Sequence, residues 1–137
     1  MDDTLSLVLF SGTDDKLTAA AVLAVGAAAM DRKVNVLLQY WALDAFRAGH
    51  VRKDHGAAPE AGPEGQALIA RAAERGQTTH WADMFELAKG VGEVGIHACS
   101  LSMDVFDITA EDLDDLVDDV EGVAAFMAEA TGPVVFV

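Results

Sequence analysis

Leu5-Ser6-Leu7-Val8-Leu9-Phe10 is a short apolar run closed by Ser11-Gly12-Thr13, and Val34-Asn35-Val36-Leu37-Leu38 is a second one downstream. Short apolar runs bounded by turn residues read as buried strands. Between them, Thr13 or Asp14 can cap a helix, and the carboxylates of Asp14 and Asp15 suit its positive first turn. That helix extends to about Met30. From Ala19 to Met30 (AAAVLAVGAAAM) it is apolar almost all round, so more than one side needs cover, from neighbouring elements or from another subunit. Asp31-Arg32-Lys33 then turns the chain back. A strand, a helix and a strand joined this closely form a βαβ unit, which pairs its strands in parallel. The expected fold is a small α/β layer structure with a mainly parallel sheet.

The remaining segments extend the pattern. Tyr40-Trp41 lead into a short helix over Ala42 to Ala48, carrying Leu43 and Phe46. Gly49 to Gly65 contains Pro59, Pro63, His50 and His55, shows little periodicity, and reads as a mobile surface loop. Glu64 to Arg75 reads as a helix stopped by Gly76. Trp81, Met84, Phe85 and Ala88 recur at helical spacing and predict an amphipathic helix with its aromatics in the core. Glu93 to Ala98 reads as a third strand, with Cys99 at its end. Thr109-Ala110-Glu111-Asp112 carries a capping-box pattern, which predicts a helix from Ile108 to Glu121 with Leu113, Leu116, Val117 and Val120 on its apolar face. Gly122 breaks that helix, Val123 to Ala130 is a further helical segment, and Val134 to Val137 is a last strand.

Composition bounds the function. A chain of 137 residues is expected to form a single domain over residues 1–137. Its 23 acidic and 9 basic residues give a net charge of −14, which argues against nucleic acid and against anionic membranes as partners. One cysteine excludes a disulfide framework, and 52% hydrophobic residues exclude a disordered acidic tail. The start, Met1-Asp2-Asp3-Thr4, is acidic where a secretory leader would be basic, and the run from Ala19 to Met30 is too short for a bilayer span. A cytoplasmic location is therefore expected. The acidity fits a surface adapted to high salt or an ordinary acidic protein equally well. Acidic residues crowd the stretch from Asp104 to Glu121, and Arg47, Arg52, Lys53, Arg71 and Arg75 crowd another. Such segregation suits either solvated faces or contact between copies.

In an open parallel α/β sheet, ligands bind beyond the carboxyl ends of the strands. That rule selects Ser11-Gly12-Thr13, Tyr40-Trp41 and Cys99-Ser100-Leu101-Ser102. A thiol at the start of a helical turn faces unpaired backbone N–H groups, which stabilise a thiolate. Cys99 is thus the candidate nucleophile, and the alternative is a buried, inert cysteine. Ser100 and Ser102 can add hydroxyl donors or serve as caps, and Gly12, in the turn it shares with Thr13, gives close backbone access. Trp41 can wall a pocket beside the thiol or belong to the core. His97 leaves the strand on the same side as Cys99 and can act as its base, or be a half-buried strand histidine. Asp104 and Asp107 oppose thiolate formation if they point at Cys99. A metal held by His97, Cys99 and a loop histidine is conceivable, but no paired ligand motif supports it, so neither metal nor cofactor is assigned. Without a C-x-x-C, a self-contained dithiol redox cycle is unavailable.

His97-Ala98-Cys99-Ser100-Leu101-Ser102-Met103-Asp104, with Ile108, Glu111-Asp112-Leu113 and Gly122-Val123-Ala124, resembles the DsrE-like sulfur-relay family, in the branch once labelled peroxiredoxin-like. The opening strand with Ser11-Gly12-Thr13-Asp14, the alanine-rich helix and the strand from Val34 to Leu38 leading to Trp41 match the same branch. The resemblance implies a three-layer α/β fold and a trimer or larger homo-oligomer. It also implies a cysteine, here Cys99, that accepts sulfur as a persulfide or related adduct and passes it on. With no second cysteine, the acceptor must be a partner protein's thiol or a small thiol. The expected function is a sulfur carrier of sulfurtransferase type. The rival is a non-catalytic assembly or regulatory subunit, and a thiol peroxidase ranks below both because Pro and Thr do not precede Cys99 in the peroxiredoxin pattern.

Overall fold

The computed structural model describes residues 4–77 and 79–137. Among these residues five strands, β1 (Leu5–Leu9), β2 (Val34–Leu38), β3 (Val94–Cys99), β4 (Asp119–Glu121) and β5 (Val134–Phe136), form one sheet in the order β4-β3-β2-β1-β5. Every pairing is parallel, with Leu7 opposite Val36, Val36 opposite Ile96, and His97 opposite Asp119.

Side chains alternate across a strand, so each face carries its own set. One face presents Leu7, Leu9, Val36, Leu38, Ile96 and Ala98 to the main core. That core is covered by α1 (Asp14–Ala29) and α4 (Trp81–Val91), which pack on each other. The buried stripe of α1 is mostly alanine, Ala20, Ala21, Ala24, Ala27 and Ala28, which lets the helices approach closely. Trp81 and Phe85 of α4 are buried against Phe46, as their spacing predicts. The opposite face carries Val8, Leu37 and Cys99 and is crossed by α6 (Val123–Glu129), whose Phe126 completes a small second cluster. The fold is thus three layers, with a thin third one. Among the described residues, no helix is long and apolar enough to cross a membrane.

Three segments depart from expectation. The helix after β2 is α2 (Tyr40–Ala45), two residues earlier than the spacing of Leu43 and Phe46 suggests. The stretch from Gly49 to Gly65 is more ordered in its bonding than a bare loop. It contains a 3-10 turn at Pro59–Glu64, and the first turn of α1 ties it down: Asp14 accepts from the His55 N–H, and Asp15 from the Ala58 N–H. It leads into α3 (Gly65–Glu74), followed by Gly76 at φ 67°.

The third departure is the largest. No helix runs from Ile108 to Glu121. The capping box of Thr109 and Asp112 exists, but it closes one 3-10 turn, Ala110–Asp112. Backbone pairing then takes over: Ala48 N–H donates to Asp112, Asp114 N–H to Phe46, and Asp118 N–H to Ile96. Asp118 in turn accepts from the Ile96 N–H and from Lys89. These bonds draw residues 119–121 into the sheet as edge strand β4. They also join part of the acidic stretch to the segment around Arg47 within one chain.

Candidate functional site

The carboxyl ends of β1 and β2 meet at a cleft of about 340 Å³ lined by Ser11, Gly12, Thr13, Trp41, Asp44, His55 and Pro59. Gly12 is required there by contact: a Cβ would stand 2.3 Å from the Trp41 carbonyl oxygen. Thr13 occupies the N-cap position of α1, yet its hydroxyl donates to Asp15 at 2.7 Å and does not cap the helix. Burial works against the Asp15 charge, but hydrogen bonds from Thr13, Ala58 and Lys16 together hold its carboxyl below the usual range. Trp41 is 57% exposed and lies edge-on to Phe106 of α5 (Ser100–Phe106), so it forms a wall of the cleft and not part of the core. Three of the candidate residues, Gly12, Thr13 and Trp41, are therefore brought together.

Cys99 does not line that cleft. It is the last residue of β3 and the N-cap of α5, as the strand-end rule predicts, but its side chain points to the other face. There it is fully buried beside Leu37 and Phe126 and makes no capping hydrogen bond. The expectation of an open thiol ringed by amide donors is corrected: the side-chain alternation of β3 turns the sulfur beneath α6. Asp104 and Asp107 are exposed and face solvent.

The neighbouring serines divide. Ser100 is exposed, whereas Ser102 is fully buried and its Oγ accepts the Tyr40 N–H at 3.1 Å, tying α5 to α2. His97 shares the face of Cys99 but leans the other way along the strand. Its Nε2 lies over Gly95, where a Cβ would be 2.8 Å from it, and its Nδ1 meets Asp119 at 2.5 Å and Glu121 at 3.4 Å. The ring is thus turned from the sulfur toward the carboxylates of β4. The donors around His97 are Asp119 and Glu121, not Cys99 or a loop histidine. These two acids were hidden in the sequence by the capping-box reading. The alternation Asp119-Val120-Glu121 before Gly122 is the signal that could have revealed a strand.

Among known proteins, the chain is 29% identical to the uncharacterized protein YrkE of Bacillus subtilis (strain 168), over 91% of this chain and 89% of that one. Its fold is similar to that of the YchN protein of E. coli, with a TM-score of 0.61 and 14% identity over the whole of both chains. It is also similar to MTH1491, a protein of unknown function from Methanobacterium thermoautotrophicum, with a TM-score of 0.59 and 10% identity over 99% of this chain and 100% of that one. The model of the DsrE/DsrF/DrsH-like family matches residues 1–62 and 57–135, and with nearly the whole sequence accounted for in this way, the chain belongs to that family.

Proposed function

We propose that the protein carries sulfur on Cys99 as a persulfide. The observation that supports this reading is the place of the thiol: at the carboxyl end of β3, at the head of α5, beneath a helix with a single buried side chain, Phe126. A short helix held by one anchor opens locally for roughly the burial of that side chain, well short of global unfolding, so the closed thiol becomes reachable when α6 lifts. The Cys99 thiolate attacks the outer sulfur of a donor persulfide or polysulfide. A new S–S bond forms on Cys99, the donor's S–S bond breaks, and the donor thiolate leaves with the electron pair. Delivery is the same exchange in reverse, with an acceptor thiol attacking the outer sulfur and restoring Cys99. Because the chain has one cysteine, that acceptor is a partner protein or a small thiol.

One observation favours a second reading. Full burial among Leu37 and Phe126 is also how an inert, structural cysteine sits, and it suits a non-catalytic assembly or regulatory subunit. Intact mass after incubation with polysulfide separates the two. The carrier gains sulfur that a reducing agent removes, Cys99→Ser gains none, and Phe126→Ala loads at least tenfold faster. The Phe126 change costs about 3 kcal/mol, so its fold is checked by circular dichroism. A native protein that stays unloaded, or a Cys99→Ser variant that loads equally, refutes the carrier.

A further inference from the structure

We infer that His97, Asp119 and Glu121 form a binding site for a divalent cation of the zinc class. The site lies on the α6 side of the sheet, at its β4 edge. One ligand atom from each residue lies within 4.8 Å of the others. Register makes this cluster: His97 stands opposite Asp119, and Glu121 follows two residues on, so all three side chains leave the same face. Donors about 2 Å from a tetrahedral ion stand about 3.3 Å apart. His97 Nδ1 and Glu121 Oε2 are already 3.4 Å apart. Asp119 is 58% exposed at its side chain and can swing outward from its closer contact with His97 to admit an ion.

Charge supplies a second, independent reason. The Glu121 side chain is 14% exposed, and its Oε1 is buried with no hydrogen-bond partner. Among the described residues, the ion pairs of Asp119 and Glu121 are with His97 alone, whereas neighbouring Asp118 is neutralised by Lys89 at 2.5 Å. One imidazole is shared by two carboxylates, and Glu121, the one largely shut from water, is left without a full counter-charge, which is costly unless a cation meets it. Imidazole nitrogen with carboxylate oxygen is a donor set that zinc accepts, and three protein ligands leave a position open. Gly95 completes the arrangement by leaving space for the His97 ring. The inference does not depend on Cys99, which lies outside the cluster, and it stands or falls separately from the sulfur reading.

The test is calorimetric titration of the chelator-stripped full chain with zinc chloride at physiological salt. One equivalent is expected to bind per chain. His97→Ala and Glu121→Gln are each expected to weaken that binding at least tenfold, while Asp104→Asn, which removes a charge from an exposed helix position, leaves it unchanged. His97→Ala retains every carboxylate of the acidic surface, so it separates a built site from diffuse attraction. Should His97→Ala fail to fold, Glu121→Gln decides. Zinc binding by the wild type no tighter than by folded His97→Ala or Glu121→Gln, or no binding at one equivalent, overturns the inference.

Discussion

Tyr40 holds a φ of 45°, a left-handed backbone that costs a non-glycine residue about 1–3 kcal/mol. Its neighbours hold it there: the ring stacks on Phe10 at 5.0 Å, Phe106 meets its edge, and its N–H donates to buried Ser102. The strained residue aims the start of α2 so that Trp41 stands over Gly12 and walls the cleft. Ser102 is therefore a positioning residue in this arrangement. Ser102→Ala removes the acceptor of a strained backbone N–H and is expected to destabilise the protein by about 1–2 kcal/mol. In urea the midpoint falls with an unchanged slope, and Trp41 emission shifts as its wall loosens. Sulfur loading at Cys99 stays as in the wild type under folded conditions. A loss of loading without a loss of stability would instead give Ser102 a direct part in the chemistry.

Helix α4 owes its start to His80, whose Nδ1 accepts the Ala82 N–H at 3.1 Å. Burial, aided by nearby Arg52, pushes the His80 imidazole below its ordinary value of 6.5. The sign follows from linkage: the unfolded chain takes up this proton more readily than the folded one, so acid favours unfolding. The contribution of the cap is complete above about pH 6.5 and is lost as pH falls through the lower folded value. Urea melts taken between about pH 7.5 and about pH 5 should show stability falling with acid, and His80→Asn, a cap that does not titrate, should flatten that fall. Equal slopes in both proteins would remove His80 from the account. At this same scale the sequence was most readable where periodicity and stop signals agreed. Strands β1 to β3, α1, and α4 with its buried Trp81 and Phe85 all lie where their residues place them. It was least readable where a local signal was real but outweighed. Thr109 and Asp112 do form their box, yet pairing with Phe46, Ala48 and Ile96 converts the rest of that segment into a loop and an edge strand. Cys99 shows the same limit at the site. Spacing put it at a strand end, but the cover over its face comes from α6 across the sheet, a long-range contact that no local pattern records.

Charge acts on the molecule as a whole. A net charge of −14 on 137 residues means self-repulsion within each copy and between copies, and salt screens both. The Debye length falls from about 10 Å at 0.1 M to about 3 Å at 1 M, so added KCl should stabilise the fold and favour association together. Association has a surface available. Edge strand β5 exposes Phe136 at 67% and Val134 at 44%, and α6 exposes Val123 and Met127 on the same thin layer. Apolar side chains gathered at an unpaired sheet edge are a common site of subunit contact. We propose that the chain forms a homo-oligomer through this edge, and that assembly should therefore strengthen with salt, unlike one held by opposite charges. Melting temperature is expected to climb steeply with KCl, while light scattering shifts toward larger species over the same range. A flat melting curve would mean that repulsion does not limit this fold, and a monomer at both low and high salt would mean that the apolar edge is left to water.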